Sequence, residues 1–187
     1  IVRYELLSYP LRTLATYQFN AQRLHWRLTK NSQPEKTMTM KVLGFAAQSA
    51  TDALAPFRFE RRDPRPDDVE IEILYCGVCH SDLHMARNDW GWSFYPIVPG
   101  HEIIGRVVGV GAAVSRFKVG EHVGIGCMVD SCQHCAACEQ GLEQYCEKGH
   151  TLTYGSKDRQ DGMMTYGGYS EKIVATEKFV VKVPEGL

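Results

Sequence analysis

The feature that most constrains this chain is a cluster of four cysteines near its middle. They follow the pattern Cys-x2-Cys-x2-Cys-x7-Cys and are Cys132, Cys135, Cys138 and Cys146. Two-residue spacings let consecutive thiolates turn inward around one zinc ion, which prefers four tetrahedral ligands. A disulfide scaffold would instead distribute the seven cysteines of the chain along its length. The pattern therefore predicts a zinc-binding loop, whose metal supplies stability that its few apolar residues could not.

A site closed by four thiolates has no open coordination position, which indicates a structural rather than a catalytic zinc. Redox-active or merely buried thiols are the alternative, and this spacing disfavours it. Zinc knuckles also bind nucleic acid, but the net charge is −1 and this loop is rich in acids. Phosphate binding requires the opposite charge, so we expect no nucleic-acid partner. The acidic residues are Asp130, Glu139, Glu143 and Glu147.

A second group of metal-ligand residue types lies upstream of this loop. Cys79 could supply a thiolate and His101 an imidazole to a metal with an open position for water or substrate. A ligating histidine usually donates its other N–H group to a carboxylate, and Asp82 is the candidate for that role. Each residue taken alone is more often structural than functional.

The rest of the pattern favours a mainly β fold, a small barrel or sandwich. Val69 to Ile73 alternates apolar and acidic residues, which is the period of a half-buried strand. Glycine-bounded strands are expected at 103–108 and 121–125, later strands at 169–175 and 179–183, and one helical turn at 81–87.

Gly109 and Gly111 resemble the start of a dinucleotide fingerprint, but Val114 stands where the third glycine belongs, and no helix pattern follows. The sequence predicts no nucleotide-binding half, and no apolar run approaches the roughly 18 residues of a membrane helix.

Residues 1–37 differ in composition from the rest of the chain. We therefore divide the chain into this segment and a domain over 38–187. The segment lacks Gly and Cys and ends in a polar, linker-like stretch. Three interpretations stay open: translated upstream sequence with Met38 or Met40 as the true start, an organelle transit peptide, or an ordinary domain extension. No secretory apolar region is present, and clustered cysteines suit a cytoplasmic protein.

Several motifs resemble zinc-containing alcohol dehydrogenases. Gly100-His-Glu-Ile-Ile-Gly105, followed at set intervals by Gly111 and Val114, is similar to the signature of that family. Three further runs resemble the cinnamyl alcohol dehydrogenase branch, and bacterial aldehyde reductases within it: Cys76 to His84, Tyr95 to Glu102, and Gly167 to Ser170. The motifs occur in order and at the right separations from about Met40 to Leu187. The likeness does not extend to residues 1–37.

This resemblance implies a GroES-like, partly open β-barrel catalytic domain with a structural-zinc loop. Cys79 and His101 would ligate a catalytic zinc, with Glu102 beside it as an alternate ligand. Ser81 would exchange a proton with the alcohol and pass it toward His84. His80 would lie near the pyrophosphate of the cofactor NADP(H). By position Trp90, Trp92 and Cys127 would line the substrate pocket, and the tryptophans suggest a bulky or aromatic aldehyde.

The resemblance also implies that the chain corresponds to roughly the first 40–45% of such an enzyme. A third cysteine ligand, the closing strands and the Rossmann domain would then lie outside this sequence. We therefore expect the chain alone to lack dehydrogenase activity. A free-standing zinc-binding module is the alternative, and a polyol or threonine dehydrogenase is the alternative specificity. The expected partner is a small alcohol or aldehyde, with a homodimer possible for the whole enzyme.

Overall fold

The computed structural model describes residues 39–186. The segment 1–37, on which three interpretations were left open, lies outside the described residues. The described part contains nine strands and two short α-helices. The strands are β1 (Thr39–Ala46), β2 (Ala55–Arg62), β3 (Asp68–Cys76), β4 (Ile103–Val110), β5 (His122–Ile125), β6 (Met128–Ser131), β7 (His150–Leu152), β8 (Lys172–Thr176) and β9 (Val181–Lys182); the helices are α1 (His80–Arg87) and α2 (Ala136–Glu139).

The strands form one five-stranded sheet and two two-stranded ribbons. The order in the large sheet is β8-β3-β4-β5-β9, while β1 pairs with β2 and β6 with β7. Every pairing among residues 39–186 is antiparallel. This arrangement confirms the mainly β prediction with an open rather than closed barrel, and the described residues contain no Rossmann domain.

The predicted strand at 69–73 exists because its alternation buries one side. Val69 and Ile71 are fully buried in β3, and the intervening Glu70 and Glu72 are only partly covered. They pack with apolar residues of the neighbouring strands into the largest core of the domain. The members contributed by β4 and β5 are Ile103, Val107, Val123 and Ile125.

Two smaller cores attach the remaining elements. The β1–β2 ribbon, which the sequence pattern did not single out, buries Val42 and Phe59 against Val98. A third core holds helix α1 through Met85, which packs with Ala47, Ile97 and Tyr154. Ala47 and Ile97 also exchange two backbone hydrogen bonds of 3.0 Å. These contacts hold α1 against the segment that leads to His101.

The predicted helix and the other predicted strands are present in the structure, but the residues at which they begin and end differ from the prediction. The helix begins at His80, and the strand predicted from 121 begins at His122. The late strand starts only at Lys172, because the preceding segment bonds mainly β1 instead of β3. The Tyr169 carbonyl accepts the Phe45 N–H, and the Glu171 N–H donates to the Leu43 carbonyl. The last strand is reduced to Val181–Lys182, since Glu177–Phe179 forms a 3-10 turn before it. None of the helices within residues 39–186 has the length and hydropathy that crossing a membrane requires.

Candidate metal centres

The four clustered cysteines converge in the loop between β6 and β7. Their sulfur atoms lie within 4.8 Å of one another, and the sulfurs of Cys132 and Cys138 are 3.9 Å apart. None forms a disulfide, and three of the four residues are buried. The cysteines come together because α2 and a 3-10 turn over Glu143–Tyr145 each reverse the chain. Gln133 and Gly141, with φ of 62° and 73°, make the tight bends between them.

The surroundings of these sulfurs suit thiolates bound to a cation. Backbone N–H groups donate to sulfur at 3.4 Å, from Cys132 to Cys146 and from Glu147 to Cys135. Backbone hydrogen bonds lower the pKa of Cys132 and of Cys135. The pKa of Cys138 is raised to about 11, because burial and the hydrogen bonds it shares with neighbouring thiols outweigh the Ser131 hydroxyl. Four thiolates at this separation repel unless a cation lies between them, so the residues fit a zinc ion.

The second cluster combines three different donor atoms. One ligand atom each from Cys79, His101 and Glu102 lies within 4.8 Å of the other two. Cys79 immediately precedes α1, whereas His101 and Glu102 immediately precede β4. The Glu102 side chain lies against Gly77, where a β-carbon would come within 2.3 Å of its Oε2 atom. One sulfur, one nitrogen and one oxygen donor fit a zinc that retains an open position.

Asp82 joins the two halves of this cluster. Its Oδ1 atom lies 3.2 Å from His101 Nδ1 and accepts the Gly100 N–H at 2.9 Å. Its Oδ2 atom accepts the Cys79 N–H and the Tyr169 hydroxyl, both at 3.0 Å. Because Nδ1 of His101 is engaged, Nε2 is the nitrogen left for a metal.

The charge of Asp82 follows from these contacts. Burial would raise the pKa of this carboxyl, but hydrogen bonds outweigh burial and leave the pKa lowered. The donors are the N–H groups of Cys79 and Gly100 and the hydroxyls of Tyr154 and Tyr169. An ionised Asp82 is the state that holds an imidazole N–H group in place.

A cavity of about 220 Å³ opens beside the second cluster. His101 and Ser81 line it, and the Ser81 hydroxyl lies 3.5 Å from the Cys79 sulfur. All three residues predicted for a substrate pocket also lie on its wall: Trp90, Trp92 and Cys127. The two indoles are stacked with ring centroids 6.0 Å apart and are about half exposed. The structure thus brings together residues that are far apart in sequence at one cavity.

The two remaining predicted residues lie outside this cavity lining, on helix α1. His80 and His84 stack with ring centroids 4.6 Å apart. His84 Nδ1 is 2.8 Å from the Asp89 carboxylate, and its ring also contacts Trp90. His84 therefore borders Trp90 of the cavity wall, and neither histidine is among the clustered ligand atoms.

Sequence reasoning missed two tyrosines that complete the surroundings of His101. The Tyr154 ring stacks on the His101 imidazole at 5.8 Å between centroids and lines the cavity. Tyr169 reaches Asp82 from 87 residues away in sequence. Tyr169 belongs to the Gly167-to-Ser170 run that was singled out as a motif, but nothing local in either tyrosine indicates its partner.

Comparison with known proteins matches this fold to one class, the GroES-like domains. Residues 65–185 match the family described as the alcohol dehydrogenase GroES-like domain. The chain belongs to this family.

Individual relatives lie in the cinnamyl and mannitol dehydrogenase group. A protein named probable mannitol dehydrogenase from Fragaria ananassa is 52% identical over 153 residues, which are 82% of this chain and 42% of that protein. The cinnamyl alcohol dehydrogenase structure from Sorghum bicolor gives a TM-score of 0.77 at 44% identity, covering 79% of this chain and 42% of that one. The Helicobacter pylori enzyme of that name, complexed with NADP(H), gives 0.75 at 41% identity, covering 80% and 43%. The chain thus spans less than half the length of these relatives.

Proposed function

We propose that this chain provides the catalytic domain of a zinc-dependent alcohol dehydrogenase that interconverts primary alcohols and aldehydes. The observation that carries the proposal is the meeting of Cys79, His101 and Glu102 at the edge of a cavity that contains Ser81. Identity of about 50% to dehydrogenases over the same region supports it. The four-thiolate loop would hold a second zinc with a purely structural role.

The residues of the second cluster fit a catalytic zinc, and each has a separate role in binding the metal or orienting a ligand. When bound, zinc supplies Lewis-acid polarisation of a carbonyl oxygen. Cys79 and His101 would hold it, and Glu102 would serve as the alternate ligand. Asp82 keeps the imidazole of His101 oriented, with Nε2 directed away from the carboxylate.

Ser81 is the proton-transfer group that the geometry supports. Its hydroxyl lies beside the ligand sulfur and on the cavity wall, where the oxygen of a substrate would sit. It can donate its proton to that oxygen in reduction and accept one in oxidation. His84, whose Nδ1 faces Asp89, can keep Nε2 available as the outer end of a proton relay.

The pocket favours an apolar, ring-bearing aldehyde. Trp90 and Trp92 offer a stacked aromatic wall, and Cys127 adds a small apolar side chain. The Fragaria relative is named a probable mannitol dehydrogenase, so a polyol remains the competing substrate class. A polyol would need several polar groups in a cavity whose wall is largely apolar and aromatic.

Hydride transfer would require NADP(H), which the Helicobacter relative binds. This cofactor supplies the hydride when bound, and His80 is the residue of this chain proposed to lie near its pyrophosphate. Residues 39–186 contain no parallel β-α-β unit. We therefore propose that the chain alone is inactive and acts together with a dinucleotide-binding domain. A free-standing zinc-binding module is the alternative.

A chimera tests this proposal. The chain would replace the equivalent N-terminal part of the sorghum enzyme, and NADPH consumption would be followed with cinnamaldehyde and with fructose, the carbonyl partner of mannitol. We expect reduction of the aromatic aldehyde, and a fall in kcat/KM of about 10²- to 10⁴-fold in Ser81→Ala. The exposed Ser115 is the matched control, since Ser115→Ala should leave the rate unchanged. A folded, two-zinc chimera without activity would favour the zinc-binding module.

A further inference from the structure

We propose that Tyr169 is a positioning residue for the metal ligand His101, acting through Asp82. The inference rests on the proposed function, because it concerns the centre formed by Cys79, His101 and Glu102. It assigns a role to the Gly167–Tyr169 segment, which lies more than 60 residues beyond His101 in the sequence.

Four donors lie at 2.9–3.2 Å from the Asp82 carboxylate, and among these four Tyr169 alone comes from outside the two ligand segments. The Tyr154 hydroxyl, which also lowers the pKa of Asp82, is not among these four contacts. The Cys79 and Gly100 N–H groups and the His101 Nδ1 atom belong to the segments that carry the ligands. The fourth donor is the Tyr169 hydroxyl, at 3.0 Å from Oδ2. A carboxylate offers about four lone-pair directions, so this hydroxyl completes its hydrogen bonding and fixes the plane of the group.

The backbone around Tyr169 is held against the approach to His101 by three hydrogen bonds. The Gly167 N–H donates to Val98 at 2.7 Å, the Gly168 N–H to Gly100 at 2.8 Å, and the Tyr169 N–H to Pro99 at 3.0 Å. The segment therefore follows the three residues that lead into the ligand His101. Because three hydrogen bonds join residues 167–169 to residues 98–100, a displacement of either segment would displace the other.

The Tyr169 ring is confined in the same way. A β-carbon on Gly100 would lie 2.8 Å from Cδ1 of Tyr169 and 2.8 Å from the Cys76 sulfur. The ring is thus packed against a backbone with no side chain, in a position where its hydroxyl can reach only a narrow region. That region contains Oδ2 of Asp82.

Ring and hydroxyl have separable roles. The ring packs against the Gly100 backbone and the apolar ribbon core, which a phenylalanine would also do. The hydroxyl contributes only the contact to Asp82. Removing it takes away one of the two 3.0 Å donors to Oδ2, leaving the Cys79 N–H, and lets the carboxylate turn. His101 then loses its fixed orientation while the fold keeps its packing.

Cobalt titration of the full 187-residue chain tests this role, with the metal itself as the probe. Visible spectra distinguish a four-thiolate cobalt site from a site with one thiolate, one imidazole and one carboxylate. We expect the unaltered chain to bind two equivalents and Tyr169→Phe to bind the mixed-ligand equivalent about 10-fold more weakly. The four-thiolate equivalent should be unchanged. Tyr75→Phe is the matched control, because Tyr75 is 74% exposed.

Each outcome decides the matter. A Tyr169→Phe chain with unchanged affinity at both sites would overturn the positioning role. Weakening of both sites together would assign the hydroxyl to the general fold, which also contradicts the inference. If the unaltered chain bound only the four-thiolate equivalent, the proposed catalytic centre itself would fail, and this inference with it.

Discussion

The imidazole of His101 and the carboxylate of Asp82 meet at 3.2 Å, although one precedes β4 and the other lies in the first turn of α1. Asp82 is only 3% exposed, and its second oxygen accepts the backbone N–H of the other ligand, Cys79. One buried carboxylate therefore fixes both the thiol and the imidazole of the mixed-ligand cluster. The relative placement of these two ligands depends on α1 as much as on the ligand residues themselves.

Asp82→Asn should weaken metal binding at this cluster selectively. An amide would present a donor where Asp82 now accepts N–H groups, so His101 and Cys79 would lose their orientation. We expect a 10- to 100-fold loss of affinity for zinc at the mixed-ligand site and no change at the four-thiolate site, measured by competition with a chelating dye. Asp89→Asn is the control, because Asp89 also contacts a histidine, His84, away from the metal ligands. Equal effects of the two substitutions would contradict this reading.

Cys138→Ser should remove the metal that stabilises the β6–β7 loop. Cys138 is buried in α2, and without its thiolate the three remaining ligands leave the zinc incompletely enclosed. We expect one zinc fewer per chain and a free energy of unfolding lower by about 4 kcal/mol. The melting temperature should fall by roughly 8–16 °C. Cys127→Ser, at an exposed cysteine outside both clusters, should retain the zinc content and the melting temperature. An unchanged zinc content in Cys138→Ser would refute the assignment.

The predictable parts of this molecule are those in which the information is local. The alternation of β3 revealed a strand because one face is buried, and the two-residue spacings of the cysteines indicated a shared ligand site. The β1–β2 ribbon was harder to predict, since the buried Arg61 interrupts the apolar face that Phe57 and Phe59 begin. Its guanidinium satisfies part of its hydrogen bonding on Gly167 and Ser170, which the local pattern cannot show.

The candidate site likewise contains residues that the sequence motifs indicated and residues whose contacts appear only in the folded structure. Motif resemblance supplied the ligands and the cavity residues, and the structure places Ser81, Trp90, Trp92 and Cys127 around one cavity. Their roles stay predictions. Tyr154 and Tyr169 were not foreseen, because their contacts to His101 and Asp82 join segments that are adjacent only after folding.

Gly100→Ala should destabilise the domain more than Gly120→Ala. Both glycines have a positive φ, but only Gly100 is also closely packed. Gly100 has φ of 102°, and a β-carbon there would meet Gly168, Tyr169 and Cys76 at 2.8–2.9 Å. Gly120 has φ of 95°, but no atom lies within 4 Å of its added β-carbon. We expect Gly120→Ala to cost about 1 kcal/mol and Gly100→Ala about 3 kcal/mol in urea unfolding. Equal costs would show that the close approach at Gly100 is not rigid.

The ion pairs of Asp158 with Arg62 and Arg65 should make the folding stability of the domain depend on pH in the acidic range. Burial would raise the pKa of Asp158, but the Arg65 guanidinium and backbone N–H groups lower it to about 2. A carboxyl whose folded pKa is depressed contributes stability above its unfolded pKa of about 4 and loses it as the pH falls toward the folded value. The difference in melting temperature between the unaltered chain and Asp158→Asn should therefore be constant above about pH 4 and shrink toward pH 2.

The exposed Asp52 provides the control for this acid effect. Asp52→Asn should match the unaltered chain at every pH, because no buried cation depends on its charge. A difference for Asp158→Asn that stays constant down to pH 2 would mean that the contacts with Arg65 and Arg62 do not stabilise the charged form.

Anomalous scattering at the zinc edge from crystals of the zinc-loaded chimera with the sorghum enzyme tests the central claim most directly. The account requires two peaks per chain. One should lie among the sulfurs of Cys132, Cys135, Cys138 and Cys146, and the other between Cys79, His101 and Glu102, beside the cavity that contains Ser81. A single peak in the four-cysteine loop, with no density between Cys79 and His101 at saturating zinc, would contradict the account and leave a zinc-binding module without a catalytic centre.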